Sequence, residues 1–247
     1  MQTNWWENFF HGIALDFWRA AISDEQTRAE ADFIKNQLRL PPGAKVLDVP
    51  CGNGRLSIEL GAIGFELTGV DIAEEFIEEA KRNSRERGLD INWRKGDMRD
   101  LPWSNEFEGA FCFGNSFGYL DDGQNADFLE ALSRTLKPGA RVILDAPAIA
   151  ECLLPNFQEK RTIEIGGIKV TIDNRYDHQQ SRIFPSFTFV RNGVEDKRSS
   201  SQRIYTYKEL SGLLSEAGLE IVSTYSSLDE NPFKLGAHRL LLVARKG

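Results

Sequence analysis

The chain has 247 residues, of which 41% are hydrophobic and 27% are charged, and it carries a formal net charge of -7. This composition is typical of a globular protein that buries its core in one large domain or two small ones. Because a large nucleic-acid interface requires a basic surface, the acidic balance argues against that function and leaves room only for a local basic patch. We expect a small molecule, and no nucleic acid, as the partner.

Targeting and redox signals are weak. The sequence has no apolar run of the roughly 20 residues that a membrane-spanning helix needs, and its N-terminus lacks the features of a signal peptide. We therefore expect a cytoplasmic protein with no membrane partner.

Three cysteines, Cys51, Cys112 and Cys152, are too few and too scattered for a disulfide framework, and no Cys or His cluster has metal-ligand spacing. Reduced thiols and no metal site are expected.

The N-terminal stretch "NWWENFFHGIALDFW" predicts one helix with a broad apolar face. Six residues at helical spacing form that face: Trp5, Trp6, Phe9, Phe10, Ile13 and Phe17. The face either packs on the domain or closes over a ligand pocket as a lid; few basic residues lie on its polar side to favour a membrane surface. A second helix is predicted from Asp24 to Leu40, ended by Pro41, Pro42 and Gly43.

From Ala44 onward, short apolar runs alternate with helical patterns. The strand candidates are "KVLDV", "ELTGVD", "INWRKGD", "GAFCFG" and "ARVILDA", and the helices are "RLSIELGAIG", "AEEFIEEAKRNSRERG" and "ADFLEALSRTL". Alternation of this kind predicts parallel strands joined by right-handed crossovers, with helices on both faces of the sheet. The core is therefore predicted to be an open α/β sheet.

The alternation stops between Pro147 and Ile204. Two hairpins are predicted there, one turning on Gly166-Gly167 and one on Asn192-Gly193, because tight turns require the positive φ that these residues adopt. A helix with a capping box, Thr206 to Glu209, and two strands follow. The prediction is one domain, residues 1–247, with a helical cap over 1–40 and an antiparallel β insertion over 147–204.

A glycine-rich loop, "LDVPCGNGR", follows the first strand of the alternating region. Gly52 and Gly54 allow the backbone to pass close to a ligand, and the next helix begins at about Arg55 with unpaired N–H groups. Asp71 ends the second strand 19 residues after Gly52, which is the spacing of a carboxylate that binds ribose hydroxyls, although it could instead cap the next helix. Asp97 ends the third strand at the same edge of the sheet.

Asp48 lies near the end of the strand, two residues before Pro50, and its charge indicates which cofactor the loop can bind. A pyrophosphate would place like charges together in a partly desolvated cleft, and Ser57 stands where a dinucleotide fingerprint has its third glycine. S-adenosylmethionine has an ammonium group and a sulfonium centre, which acidic residues stabilise, while backbone N–H groups can bind its carboxylate. A cationic cofactor is therefore favoured over a dinucleotide.

At this point the chain, from about Pro42 to its C-terminus, resembles the small-molecule branch of the class I S-adenosylmethionine-dependent methyltransferases. The motifs that carry the resemblance are "VLDVPCGNGR", "GVD", "GDM", "FGNSFGY" and "LKPGARVIL", in that order, followed by a final pair of strands. The resemblance implies a Rossmann-like α/β fold with a seven-stranded, mostly parallel sheet and an antiparallel last strand. It also implies S-adenosyl-L-methionine as the cofactor and S-adenosyl-L-homocysteine as the product.

The resemblance assigns cofactor-binding residues. Asp48 and the loop residues Pro50, Cys51, Gly52 and Gly54 would hold the methionine part, Asp71 with Ile72 the ribose, Asp97 with Met98 the adenine, and Phe113 to Asn115 the methyl group. Pro50 departs from the family, which usually has glycine there. Since proline lacks an N–H and has a fixed φ, any residue that needs positive φ must be Gly52 or Gly54.

To catalyse methyl transfer, the protein mainly has to align the acceptor nucleophile with the methyl group and exclude water. Six residues are candidates for a general base: His11, Tyr119, Asp121, His178, Tyr205 and His238. Asn115 and Tyr119 are the candidate catalytic residues, because "GNSFGYL" follows the fourth strand, and we expect this segment, the N-terminal helix and the insertion to enclose the acceptor.

Several questions stay open from the sequence. A protein is the second choice of acceptor after a small molecule, the acceptor atom can be O, N or C, and the protein can be a monomer or a homodimer. An NAD-dependent oxidoreductase and a catalytically silent S-adenosylmethionine-binding protein are the alternative functions.

Overall fold

The structure, a computed structural model, describes residues 4–247. Within this range the chain forms seven α-helices: α1 Gly12–Ala21, α2 Asp24–Leu38, α3 Arg55–Ala62, α4 Glu74–Glu86, α5 Asp122–Thr135, α6 Ala150–Leu153 and α7 Tyr207–Glu216. The strands are β1 Lys45–Asp48, β2 Glu66–Asp71, β3 Asn92–Lys95, β4 Phe107–Cys112, β5 Leu136–Asp145, β6 Lys160–Ile165, β7 Ile168–Asp177, β8 Arg182–Arg191, β9 Val194–Ser199, β10 Gln202–Arg203, β11 Leu219–Tyr225 and β12 Leu241–Lys246. Residues 1–3 of the predicted cap lie outside the described residues.

Seven strands form the central sheet, in the order β11-β12-β5-β4-β1-β2-β3. Strand β12 runs antiparallel to both of its neighbours, whereas β1 to β5 are parallel to one another. Both faces are covered, since Val46 and its neighbour Leu47 point to opposite sides of the sheet and belong to two separate clusters of buried side chains. The predicted seven-stranded, mostly parallel sheet with an antiparallel last strand is confirmed.

A second, antiparallel sheet contains β6 to β10. The two predicted hairpins of this sheet turn at Gly166-Gly167 and at Asn192-Gly193, and all four residues have positive φ. These turns form where the sequence predicts them because the local conformational requirement alone selects the residues. A third hairpin joins β7 to β8. Buried residues of this sheet, among them Val170 and Phe189, share one cluster with residues of α5 and α7.

The prediction of one continuous N-terminal helix is wrong. Residues Trp5–Asn8 form a single turn of 3₁₀ helix, and α1 begins only at Gly12. The break occurs because His11 is extended and Gly12 has a φ of 60°, a conformation that a helix interior does not contain. The break lets the two halves pack separately, with Trp5 against Tyr119 and Phe17 against Phe189.

Helix α2 also ends earlier than predicted, at Leu38, because Arg39 adopts the left-handed conformation of a helix C-terminus. Within residues 4–247 none of the helices has the length and apolarity required to cross a membrane.

Candidate active site

A cavity of about 1200 Å³ opens at the carboxyl ends of β1, β2 and β4. Nine of the predicted cofactor residues line it: Asp48, Pro50, Cys51, Gly52, Asp71, Ile72, Met98, Phe113 and Asn115. Pockets for one small molecule have volumes of about 300–1,000 Å³, so this cavity has room for a cofactor and a second molecule.

The glycine-rich loop has the backbone geometry that the sequence predicts. Gly52 and Gly54 both have positive φ, of 53° and 76°, and the Val49-Pro50 peptide bond is cis. A side chain at Gly54 would also clash with the indole ring of Trp93, whereas a side chain at Gly52 would project into open space. Gly54 therefore shapes the loop from behind, and Gly52 leaves the cavity free for a ligand.

Asp71 fixes the loop to the second strand. Its Oδ2 accepts a hydrogen bond from the Gly52 N–H at 2.8 Å, and its Oδ1 accepts one from the Ala73 N–H at 2.9 Å, at the start of α4. Burial raises the pKa of Asp71 to about 6, although these N–H donors oppose the shift. The carboxylate thus holds the loop, fixes the turn that precedes α4 and lines the cavity.

Asp48 is the more deeply buried carboxylate, only 2% exposed. The Ser57 hydroxyl donates a hydrogen bond to its Oδ2 at 2.7 Å. Burial raises the pKa of Asp48 to about 8, so a cation bound next to it would stabilise the ionised form. From the sequence, Ser57 is only the residue that replaces the third glycine of a dinucleotide fingerprint. In the structure it lies on the first turn of α3, and its hydroxyl reaches the Asp48 carboxylate.

Gly54 and Asp97 are the two predicted cofactor residues of the described chain that lie outside the cavity wall. Asp97 instead accepts hydrogen bonds from Arg99, at 2.9 Å from both its backbone N–H and its Nε, and this guanidinium lowers the pKa of Asp97. Its neighbour Met98 does line the cavity.

The segment after β4 is held by Gln202, a residue that no sequence motif indicates. Gln202 lies on β10, is 8% exposed, and its Nε2 donates to Asn115 Oδ1 at 2.9 Å and to the Phe117 carbonyl at 2.7 Å. Its Oε1 accepts from Asn115 Nδ2 at 3.3 Å. Since Asn115 has a φ of 66°, these bonds keep a non-glycine residue in an unfavourable backbone conformation beside the cavity.

A buried ionic network holds the same segment from the other side. Asp145 Oδ2 accepts from the Gly114 N–H at 3.1 Å and also lies 2.8 Å from the Arg239 guanidinium. Arg239 pairs in addition with Glu30 of α2 at 3.2 Å, and it lies 5.3 Å from the centroid of the Phe113 ring. No sequence pattern links these residues, because the contacts join positions far apart in the chain.

The six base candidates occupy very different places. Tyr119 and His238 line the cavity. His11 lies against Arg198, Asp121 caps α5, His178 is exposed in a turn, and the Tyr205 hydroxyl bonds Asp122 and Asn125. Burial raises the pKa of Tyr119, so its phenol stays protonated at neutral pH and acts as a hydrogen-bond donor more readily than as a base.

The far wall of the cavity comes from the N-terminal segment and the second sheet. Aromatic side chains dominate the first of these, and the residues are Trp5, Trp6, Phe9, Phe10 and Trp18. Ile172, Ile183 and Phe187 contribute from the second sheet. Among residues 4–247 no group of three or more His, Cys, Asp or Glu side chains is placed to hold a metal ion.

The fold and this site together define a Rossmann-like cofactor-binding protein, and the comparisons with known proteins narrow the class. Residues 46–139 match a family described as "Methyltransferase domain". The chain is 37% identical over 125 residues to a 2-phytyl-1,4-naphtoquinone methyltransferase of Synechocystis sp., an alignment covering 47% of this chain and 51% of that protein. It is 32% identical over 141 residues to a ubiquinone biosynthesis O-methyltransferase of Xanthomonas axonopodis, with 55% and 57% covered. The chain thus spans about half the length of these curated relatives.

Solved structures match almost the whole chain. A methyltransferase structure from Clostridium acetobutylicum superimposes with a TM-score of 0.81 at 20% identity and covers 94% of this chain and 95% of that one. An amino pentose methyltransferase from Micromonospora echinaspora, with S-adenosylmethionine bound, gives a TM-score of 0.69 at 22% identity, with 98% and 99% covered. The described chain therefore has the fold of these methyltransferases, as its motifs predict, and residues 46–139 match the methyltransferase family in sequence.

Proposed function

We propose that this protein transfers the methyl group of S-adenosylmethionine to a small-molecule acceptor. The observation that carries the proposal is the cavity of about 1200 Å³, which places the glycine-rich loop and two buried carboxylates opposite an aromatic wall. The names of the relatives describe a naphthoquinone, ubiquinone biosynthesis and an amino pentose, which supports a small-molecule acceptor.

The cofactor end of the cavity suits a cation. Asp48 and Asp71 both line it, and both carboxylates gain a favourable interaction when a positive charge enters. The Cys51, Gly52 and Gly54 N–H groups of the loop already donate hydrogen bonds within the protein. The Asn53 N–H and the first turn of α3 therefore remain for the carboxylate of the methionine part. We assign the ribose to Asp71 and place the methyl group beside Phe113 and Asn115.

When bound, the cofactor supplies an activated methyl group that an acceptor nucleophile takes by in-line displacement. Asn115, held by Gln202, fixes the position of the segment that borders the reacting atoms. Tyr119 offers a phenol donor to the acceptor, and His238, exposed in the cavity wall, is the lining residue whose imidazole can take a proton from it. The aromatic wall excludes water from the transfer.

Ligand-induced stabilisation tests the choice of cofactor. A ligand present at about 100 times its Kd stabilises the folded state by about 2.7 kcal/mol, which raises the melting temperature of a domain of this size by several degrees. We expect S-adenosylmethionine and S-adenosylhomocysteine to do so and NAD to leave the melting temperature unchanged. Stabilisation by NAD alone would refute the proposal and favour an oxidoreductase.

A further inference from the structure

A second pocket, of about 620 Å³, lies between the second sheet and the N-terminal segment. Three cationic side chains line it, those of Arg175, Lys197 and Arg198, together with His11. Hydroxyl groups complete its polar lining, from Ser186, Ser199, Ser200 and Ser201. Among the described residues that line this pocket there is no Asp or Glu, although the chain as a whole is acidic.

The cations of this pocket are only partly neutralised by carboxylates outside it. Arg175 lies 3.4 Å from Asp177, and the Lys197 ammonium lies 3.5 Å from Glu195. The side chains of Arg175 and Lys197 are 59% and 71% exposed, and ion pairs this long and this exposed contribute little. Both groups therefore remain free to bind an anion.

Arg198 is the inner cation of the pocket, with its side chain only 20% exposed. One of its terminal nitrogens pairs with Asp196 at 2.5 Å, and the other lies 3.1 Å from Nδ1 of His11. Its Nε is buried and has no hydrogen-bond partner within the described part of the chain. Because this Nε is closed to solvent, Arg198 adds positive charge to the inner end of the pocket, and the more exposed Arg175 and Lys197 supply the direct contacts to an oxyanion.

The pocket adjoins the acceptor side of the main cavity. The two share four lining residues: Trp5, Phe9, Pro185 and Ser200. The carboxylates that line the main cavity, Asp24, Asp48, Glu59 and Asp71, come from the helices and strands around the cofactor loop. The second sheet adds only one charged residue to that cavity, Arg161. Arg19, Arg55 and Arg87 also line the main cavity, so that its cofactor side carries both signs of charge. The charged residues that line the second pocket, in contrast, are all cationic.

We propose that this second pocket binds an oxyanion, a phosphate, sulfate or carboxylate group, and that the methyl acceptor carries this group. The part of the proposal that concerns the acceptor rests on the proposed function, whereas the oxyanion site does not. Aromatic rings flank the cations, since the Arg175 guanidinium lies 4.4 Å from the centroid of the Phe184 ring, so the rest of the ligand contacts an apolar surface.

Calorimetric titration with inorganic phosphate and pyrophosphate, at constant ionic strength, tests the site. The double variant Arg175→Gln/Lys197→Gln should weaken binding by at least about tenfold, because each lost cation removes a charge-assisted contact. The control Lys160→Gln/Lys169→Gln removes the same charge from exposed positions of the same sheet and should bind as the unmodified chain does. Circular dichroism melting checks that all variants fold. No binding of either probe, or equal weakening in both variants, would overturn the oxyanion site.

A methyl-transfer screen with paired compounds tests the acceptor. Each pair contains a neutral compound and its phosphate or carboxylate derivative, for example catechol and 3,4-dihydroxybenzoate, or glucosamine and its 6-phosphate. We expect the best acceptor to be anionic, and Arg175→Gln/Lys197→Gln to raise its KM by at least about tenfold while kcat changes little. A neutral best acceptor, or an unchanged KM, would overturn the acceptor assignment. If no compound were methylated, the proposed function would be wrong, whereas measured phosphate binding would still support the oxyanion site.

Discussion

Asp48 is the carboxylate that we propose to face the positive charge of the cofactor. Its pKa of about 8 in the unliganded protein means that it carries a proton at neutral pH. Binding of a cationic cofactor requires the ionised form, so the affinity should increase with pH up to the pKa of the free protein and then level off.

We therefore expect the affinity for S-adenosylmethionine to rise by up to about tenfold per pH unit between about pH 6 and about pH 8. Calorimetry across this range measures the slope. In Asp48→Asn the slope should be greatly reduced and the affinity at about pH 8 lower by about tenfold or more. Glu74→Gln, which neutralises an exposed carboxylate, is the control. A pH-independent affinity in the unmodified chain would show that Asp48 does not face the cofactor's charge.

Asp71 holds the glycine-rich loop and is also the residue that we propose to bind the ribose. Asp71→Ala removes the proposed ribose ligand and also the acceptor of the Gly52 N–H, so it should weaken S-adenosylhomocysteine binding by about 10–100-fold. Asp71→Asn, which retains one carbonyl oxygen for the loop, should lose less. Unchanged affinity in Asp71→Ala would mean that the ribose lies elsewhere.

Arg239 precedes β12 and joins two elements that the sequence keeps far apart. It pairs with Asp145 at the end of β5 and with Glu30 of α2, and both carboxylates are buried. The network thereby connects the helical cap to the segment that contains Phe113 and Gly114. Burial raises the pKa of Asp145 against the opposing effect of Arg239, so loss of the guanidinium would leave this group poorly solvated.

Arg239→Gln should reduce the free energy of unfolding by about 3–5 kcal/mol, because it leaves the buried Asp145 without its cation, whereas Glu30 keeps its pair with Arg55 at 2.6 Å. Urea denaturation measures this loss. Arg245→Gln, which breaks an exposed pair with Glu220, should cost less than about 1 kcal/mol. A similar small loss in both variants would contradict the importance of the buried network.

Strands, hairpins and most helix ends were predictable from sequence because each depends on a local pattern. The turn at Gly166-Gly167 and the capping box at Thr206 need only neighbouring residues. The break at Gly12 was not predictable, since apolar spacing continues through it and the packing of Trp5 on Tyr119 joins distant parts of the chain. The residues of the candidate site likewise fall into those that a local motif predicts and those that only the folded chain brings together.

Asp48, Asp71 and the loop glycines follow from their motifs. Gln202 and Arg239 do not, because their partners lie on other elements and only the folded chain brings them together.

The molecule as a whole has an α/β core that carries the cofactor loop and a cover made of the N-terminal segment and the second sheet. Glu79 of α4 links the two parts, because it accepts hydrogen bonds from Asn53 of the loop at 3.1 Å and from Arg19 of α1 at 3.0 Å. One carboxylate therefore contacts both the glycine-rich loop and the cover.

Arg19→Gln should speed the dissociation of S-adenosylhomocysteine about fivefold, because the loss of a partly exposed ion pair of about 1 kcal/mol loosens the cover. Stopped-flow fluorescence, with the tryptophans of the cover as probes, measures this rate. Arg28→Gln, on an exposed position of α2, should leave it unchanged. Equal rates in the two variants would show that the contact with Glu79 does not retain the ligand.

A crystal structure of the complex with S-adenosylhomocysteine is the strongest test of the proposed cofactor site. We expect the amino group next to Asp48, the ribose hydroxyls on Asp71, and the sulfur directed towards Phe113 and Asn115, with the remaining cavity open to the acceptor. A ligand bound away from the glycine-rich loop, or with its ribose remote from Asp71, would show that the proposed cofactor site is wrong.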